Sequence, residues 1–150
     1  SCTVAGNKSS SPDVCAGIAQ ADSKVKVYNS IVSGNTGGHD GIWSTESSMV
    51  TVLNQRSEVT SYSINAEKVF GDVDVVSGLL FDPEKMLGKV SNGVIPLVGE
   101  GNPALTNGMT ADQLKSIKSG REPEIDETEV VKDQKGNPRT GKVMGAYVGK

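Results

Sequence analysis

Long apolar runs are missing from this chain. No stretch approaches the roughly 20 residues that a membrane-crossing helix needs, so no transmembrane segment is expected. An excess of one charge is missing too. Fifteen basic residues are scattered against eighteen acidic ones, for a net charge of −3. Without a basic stripe, a nucleic-acid backbone is a poor partner. Histidine occurs once, as His39, and no Cys-x-x-Cys spacing is present. Neither a structural zinc site nor any other metal or cofactor is expected. Two cysteines, Cys2 and Cys15, are too few for a disulfide scaffold. They read either as one bridge or as two small unpaired apolar residues. Aromatics make up only 4% of the chain, so a core must come from small and β-branched side chains. A starting Met and a signal peptide are also absent from Ser1-Cys2-Thr3-Val4, and the natural start is expected to lie upstream.

Turn formers are abundant. The 18 glycines tolerate positive φ, and the many Asn and Asp residues close turns with their own side chains. Short apolar pieces between such turns point to an all-β chain.

Those pieces repeat. Gly17-Ile18-Ala19-Gln20 matches Gly41-Ile42-Trp43-Ser44, and Val25-Lys26-Val27-Tyr28-Asn29 matches Val50-Thr51-Val52-Leu53-Asn54. Cys2-Thr3-Val4-Ala5-Gly6-Asn7 aligns with Ser30-Ile31-Val32-Ser33-Gly34-Asn35, and Ser61-Tyr62-Ser63-Ile64-Asn65 reads as a degraded third copy. Several short strands per repeat, each alternating inward Val with outward Lys or Thr, suggest stacked coils. Stacking places Val25 over Val50, Val27 over Val52, and Asn29 over Asn54 as a structural amide ladder.

These coils resemble those of pectate-lyase-like right-handed parallel β-helix proteins. The end of the chain resembles a recurring C-terminal pattern of secreted and surface β-helix proteins of the Bacteroidetes kind. It is carried by Gly101-Asn102-Pro103-Ala104-Leu105, Asp133-Gln134-Lys135-Gly136-Asn137-Pro138-Arg139 and Met144-Gly145-Ala146-Tyr147-Val148. The usual last motif, Asp-Ile-Gly-Ala-Tyr-Glu, has Val143, Met144 and Val148 at its Asp, Ile and Glu positions here. The resemblance implies an all-β, right-handed parallel β-helix (β-solenoid) with a C-terminal cap. Coils occupy residues 1–65, and a last coil and capping region with short helical turns occupies 66–150 of the same domain. It also implies a secreted or cell-surface location. In the cap, Asp133, Arg139 and Tyr147 are expected to be structural, with Asp133 and Arg139 joined by a charge-assisted hydrogen bond.

Two short helical pieces are expected. Asp82 caps a turn opened by Pro83, and Thr110 caps a segment whose Leu114 and Ile117 share a face.

No catalytic constellation emerges. Asp72 and Asp74 flank Val73 after Gly71 and read as a solvated turn rather than a calcium site. Trp43, turned outward if Ile42 faces inward, is the leading recognition residue. His39 and Asp40 in a glycine-rich loop, and Asp13 in a second loop, complete the candidate ligand contacts. The expected function is a non-catalytic C-terminal part of a secreted or surface-displayed β-helix protein that serves adhesion or contacts surface glycan or polysaccharide. The alternative is the end of a polysaccharide lyase or glycoside hydrolase whose active site lies upstream of residue 1. Stacking between chains is expected at the free edge of the first coil.

Overall fold

The computed structural model describes residues 1–11, 15–20, 27–36, 42–44, 60–61, 64–65, 76–77, 81–116 and 126–149. Eight strands of two or three residues appear among them: β1 (Thr3–Val4), β2 (Ile18–Gln20), β3 (Val27–Tyr28), β4 (Ile31–Val32), β5 (Ile42–Ser44), β6 (Thr60–Ser61), β7 (Ile64–Asn65) and β8 (Val76–Ser77). All pair in parallel. They make one four-stranded sheet, ordered β1-β4-β7-β8, and two separate pairs, β2-β5 and β3-β6.

The repeated segments do lie side by side. Thr3 faces Ile31 and Val4 faces Val32, and Ile18, Ala19 and Gln20 face Ile42, Trp43 and Ser44. Beyond β1 and β4 the pairing continues through two turns. Gly6 N–H donates to Gly34 O at 3.0 Å and Thr36 N–H to Asn7 O at 2.9 Å. Gly6 and Gly34 both adopt positive φ, of 73° and 85°, which suits glycine at these bends. An amide ladder forms here, since Asn7 Nδ2 donates to Asn35 Oδ1 at 2.9 Å. Asn35 Nδ2 in turn donates to Val4 O at 3.1 Å.

The all-β right-handed β-helix is not what these residues form. Among the described residues no closed or solenoid sheet is present: the strands stop after two or three residues and fall into three small sheets. Beyond β8, the described residues form helical turns, isolated bridges and loops. The physical reason is local. Pro83, Pro96, Pro103 and Pro138 cannot donate to a ladder, and Asn and Asp side chains take backbone N–H groups that a longer strand would use. The register also differs from expectation, because Val27 pairs with Thr60 rather than Val52. Val25, Val50 and Asn54 lie outside the described residues.

The short helices start where side chains cap them. In α1 (Pro83–Met86), Asp82 accepts from Glu84 N–H, with proline at the first helical position. In α2 (Ala111–Lys115), Thr110 and Gln113 form a reciprocal capping box and Leu114 is buried, while Ile117 lies outside the described residues. In α3 (Glu127–Val130), Asp126 accepts from Thr128 N–H. Asn102 caps the 3-10 turn Pro103–Leu105 in the same way.

The core sits where five distant segments meet. Ile31, Phe81, Leu97, Ala104 and Met144 form one buried cluster, flanked by Met86, Leu87, Leu105 and Val143. Burying such side chains contributes about 1.5–3 kcal/mol each for the larger ones, before entropy is counted. Only Phe81 is aromatic, as the composition requires.

Candidate functional site

Three buried polar groups organise the end of the chain. Asn29 is fully buried, with a left-handed backbone of φ 51°. Its Oδ1 accepts from Met109 N–H at 2.8 Å, and its Nδ2 donates to Val143 O at 3.0 Å and Ser1 Oγ at 3.1 Å. Its carbonyl accepts from Gly145 N–H at 2.8 Å. One residue thus ties β4 to two segments that lie 80 and 114 positions further along the chain.

Asp133 and Arg139 hold the following turn, but not through each other. Asp133 accepts from Lys135 N–H at 2.8 Å, Asn137 N–H at 2.9 Å and Val148 N–H at 3.4 Å. The buried Arg139 donates from Nε to Lys132 O at 3.0 Å and from Nη2 to Gly145 O at 2.7 Å. The expected Asp133–Arg139 bond is therefore replaced by two independent sets of bonds to the backbone. The geometry favours this, because each residue sits beside carbonyls or N–H groups left over by a tight turn. Burial lowers the Arg139 pKa, while the nearby Asp133 charge opposes that shift. Tyr147 is half-buried and close to Gly149.

Burial alone would raise the Asp133 carboxyl, but hydrogen bonds from Asn137, Lys135 and Val148 outweigh it and lower its pKa. A folded pKa below the unfolded one gives stability that is present above about pH 4 and lost as pH falls through the folded value. Acid titration should therefore lower the denaturant midpoint below about pH 4, and Asp133→Asn should flatten that part of the profile. An unchanged acid limb in Asp133→Asn would show that this carboxylate does not hold the turn.

A surface groove of about 420 Å³ lies against the turns that follow β1 and β4. Gly6, Gly34 and Thr36 form one wall and Pro83, Leu87 and Val90 the other, with Asn35, Glu84 and Lys89 supplying polar groups. In the second wall Pro83 opens α1, and Leu87 and Val90 belong to a hairpin bridged at Leu87–Leu97 and Ser91–Val94. Val90 is 70% exposed, which leaves an apolar side chain on the groove's rim. Neither the groove nor the hairpin was foreseen in the sequence, although Asn92-Gly93 is a strong hairpin signal.

Of the candidate ligand contacts, Asp13, His39 and Asp40 lie outside the described residues, as do Asp72 and Asp74. Trp43 is placed by its backbone alone, opposite Ala19 in the β2–β5 pair. Cys2 is exposed and Cys15 half-buried, and no disulfide joins them. Among the described residues, no three His, Cys, Asp or Glu side chains converge as metal ligands. No helix among them is long and apolar enough to cross a membrane. No protein family, curated protein or solved structure matches the chain.

Proposed function

We propose that this chain is a non-catalytic module of a larger secreted or cell-surface protein, which fastens its own C-terminal segment across short parallel sheets and contacts glycan. The observation that carries the fastening role is where the buried polar groups point. Asn29, Asn35, Asn102, Asp133 and Arg139 all bond backbone groups. Side chains engaged in this way position a chain, and Arg139 Nη1 is the one buried side-chain polar atom left without a partner among the described residues. Glycan contact rests on the groove. Sugars offer apolar ring faces and hydroxyls, and the groove offers Leu87 and Val90 beside Asn35, Thr36 and Lys89. Trp43, His39, Asp40 and Asp13 are proposed as ligand contacts on their sequence pattern alone.

The outer edge of β1, which ends the four-stranded sheet among the described residues, is the proposed place for pairing with a second copy of the chain. Glycan-array screening followed by calorimetry on the folded chain tests the binding role. Binding to at least one polysaccharide class is expected, weakened at least about tenfold by Val90→Asp at the rim. No glycan bound, or a Val90→Asp chain that binds as well as the parent, rejects the groove. Depolymerisation of an acidic polysaccharide by the chain itself rejects the non-catalytic reading.

A further inference from the structure

The sequence holds two Asn-Gly dipeptides, Asn92-Gly93 and Asn107-Gly108. Asn-Gly is the pairing in which the next backbone nitrogen attacks the asparagine side chain most readily, because glycine offers no side chain to hinder the approach. We propose that Asn92 is a self-modification site, converting spontaneously to aspartate and isoaspartate in the folded protein, while Asn107 is protected. This inference is independent of the glycan reading.

Asn92 and Gly93 form the tip of the Leu87–Leu97 hairpin. Their φ values of 51° and 76°, and the reciprocal 3.0 Å bonds between Ser91 and Val94, define a two-residue type I′ turn. Both residues are exposed. The closing bonds belong to Ser91 and Val94, so the Gly93 N–H has no partner among the described residues. A Cβ built on Gly93 would meet nothing within 4 Å. The tip is held from outside by Gln134 Nε2 to Gly93 O at 2.5 Å and Lys135 Nζ to Asn92 O at 2.6 Å. Both are solvent-exposed contacts that open easily.

Asn107-Gly108 is the opposite case. Gly108 is buried, and its N–H donates to Lys142 O at 2.8 Å. Asn29 Oδ1 and the Lys142 carbonyl leave no room for a Cβ at Gly108. The Asn107 amide is itself engaged, donating to Pro103 O at 3.1 Å and Thr106 Oγ1 at 3.2 Å. Freeing that nitrogen requires dislodging the segment that Asn29 fastens.

The chemistry needs only water. The Gly93 nitrogen loses its proton and bonds to Asn92 Cγ, the Cγ–Nδ2 bond breaks, and the amide nitrogen leaves as ammonia. Water then opens the succinimide at either carbonyl. One opening restores the backbone with aspartate. The other routes the backbone through the former side chain, adding a methylene that a two-residue turn cannot accommodate. Either product adds a carboxylate at position 92, the residue whose backbone carbonyl Lys135 Nζ contacts.

Native and urea-denatured protein should be incubated at the same mildly alkaline pH, digested in acid, and analysed by mass spectrometry for aspartate and isoaspartate at both sites. Asn92 should convert in the native protein within about threefold of its denatured rate, and Asn107 at least about tenfold slower than its own. Equal native rates at the two sites, or an Asn92 slowed as strongly as Asn107, would overturn the proposal.

Discussion

Asn29→Ala should destabilise the chain by about 3–8 kcal/mol, enough to unfold much of it at 25 °C where its stability lies near the lower end of the ordinary range of about 5–15 kcal/mol. Two effects combine. Removing the amide leaves the buried Met109 N–H without its acceptor and the Val143 carbonyl without its donor. Each buried group stripped of its partner costs about 1–3 kcal/mol. Alanine must also hold φ near 51°, where a Cβ crowds the carbonyl at a cost of about 1–2 kcal/mol. Asn29→Gly separates the two, because glycine accepts this φ but restores no hydrogen bond. It should remain destabilised, yet by about 1 kcal/mol less than Asn29→Ala. Urea midpoints for the three proteins decide the matter. If glycine recovers full stability, the amide bonds contribute nothing and the fastening role of Asn29 is wrong.

Why sequence reading found some of this and not the rest follows from the range of each interaction. Asp82 and Thr110 cap segments two and three residues ahead, so their roles are visible in a few letters. The pairing of β1 with β4 and β2 with β5 is visible because the paired segments resemble each other. Asn29 stands out in the sequence by its likeness to Asn54, but its partners Met109 and Val143 carry no sequence sign of their destination. Asp133 and Arg139 bond backbone groups instead of each other, since opposite charge is legible and a nearby spare carbonyl is not. The fold class went further than the letters allow. Alternation of Val with Lys or Thr indicates a strand face, but nothing in it says that a strand ends after two residues. The hairpin was the reverse failure: Asn92-Gly93 between apolar flanks is a readable turn, overlooked beside the longer repeat.

The second large effect is expected at Gly145, where the end of the chain is seated on its beginning. Gly145 has φ 85°, and a Cβ there would lie 2.6 Å from Thr3 Oγ1 and 3.1 Å from Ile31 Cδ1. Gly145→Ala therefore combines a left-handed penalty of about 1–2 kcal/mol with an overpacking cost of about 1–3 kcal/mol. The shift also threatens two bonds, Gly145 N–H to Asn29 O and Ala146 N–H to Thr3 Oγ1. Thr3→Ala removes the oxygen that the new methyl would strike, at the cost of the Ala146 bond. In that background Gly145→Ala should cost about 1–2 kcal/mol less than in the parent, a coupling within the range for residues in direct contact. Thr3 and Gly145 lie at opposite ends of the sequence, so coupling of that sign is the signature of a seated C-terminal segment. Additive effects in the cycle would mean that the segment carrying Met144 does not rest on β1 and β4 in solution. The core cluster of Ile31, Ala104 and Met144 would then have to be reassigned, because Met144 reaches that cluster only if the residue after it passes over Thr3.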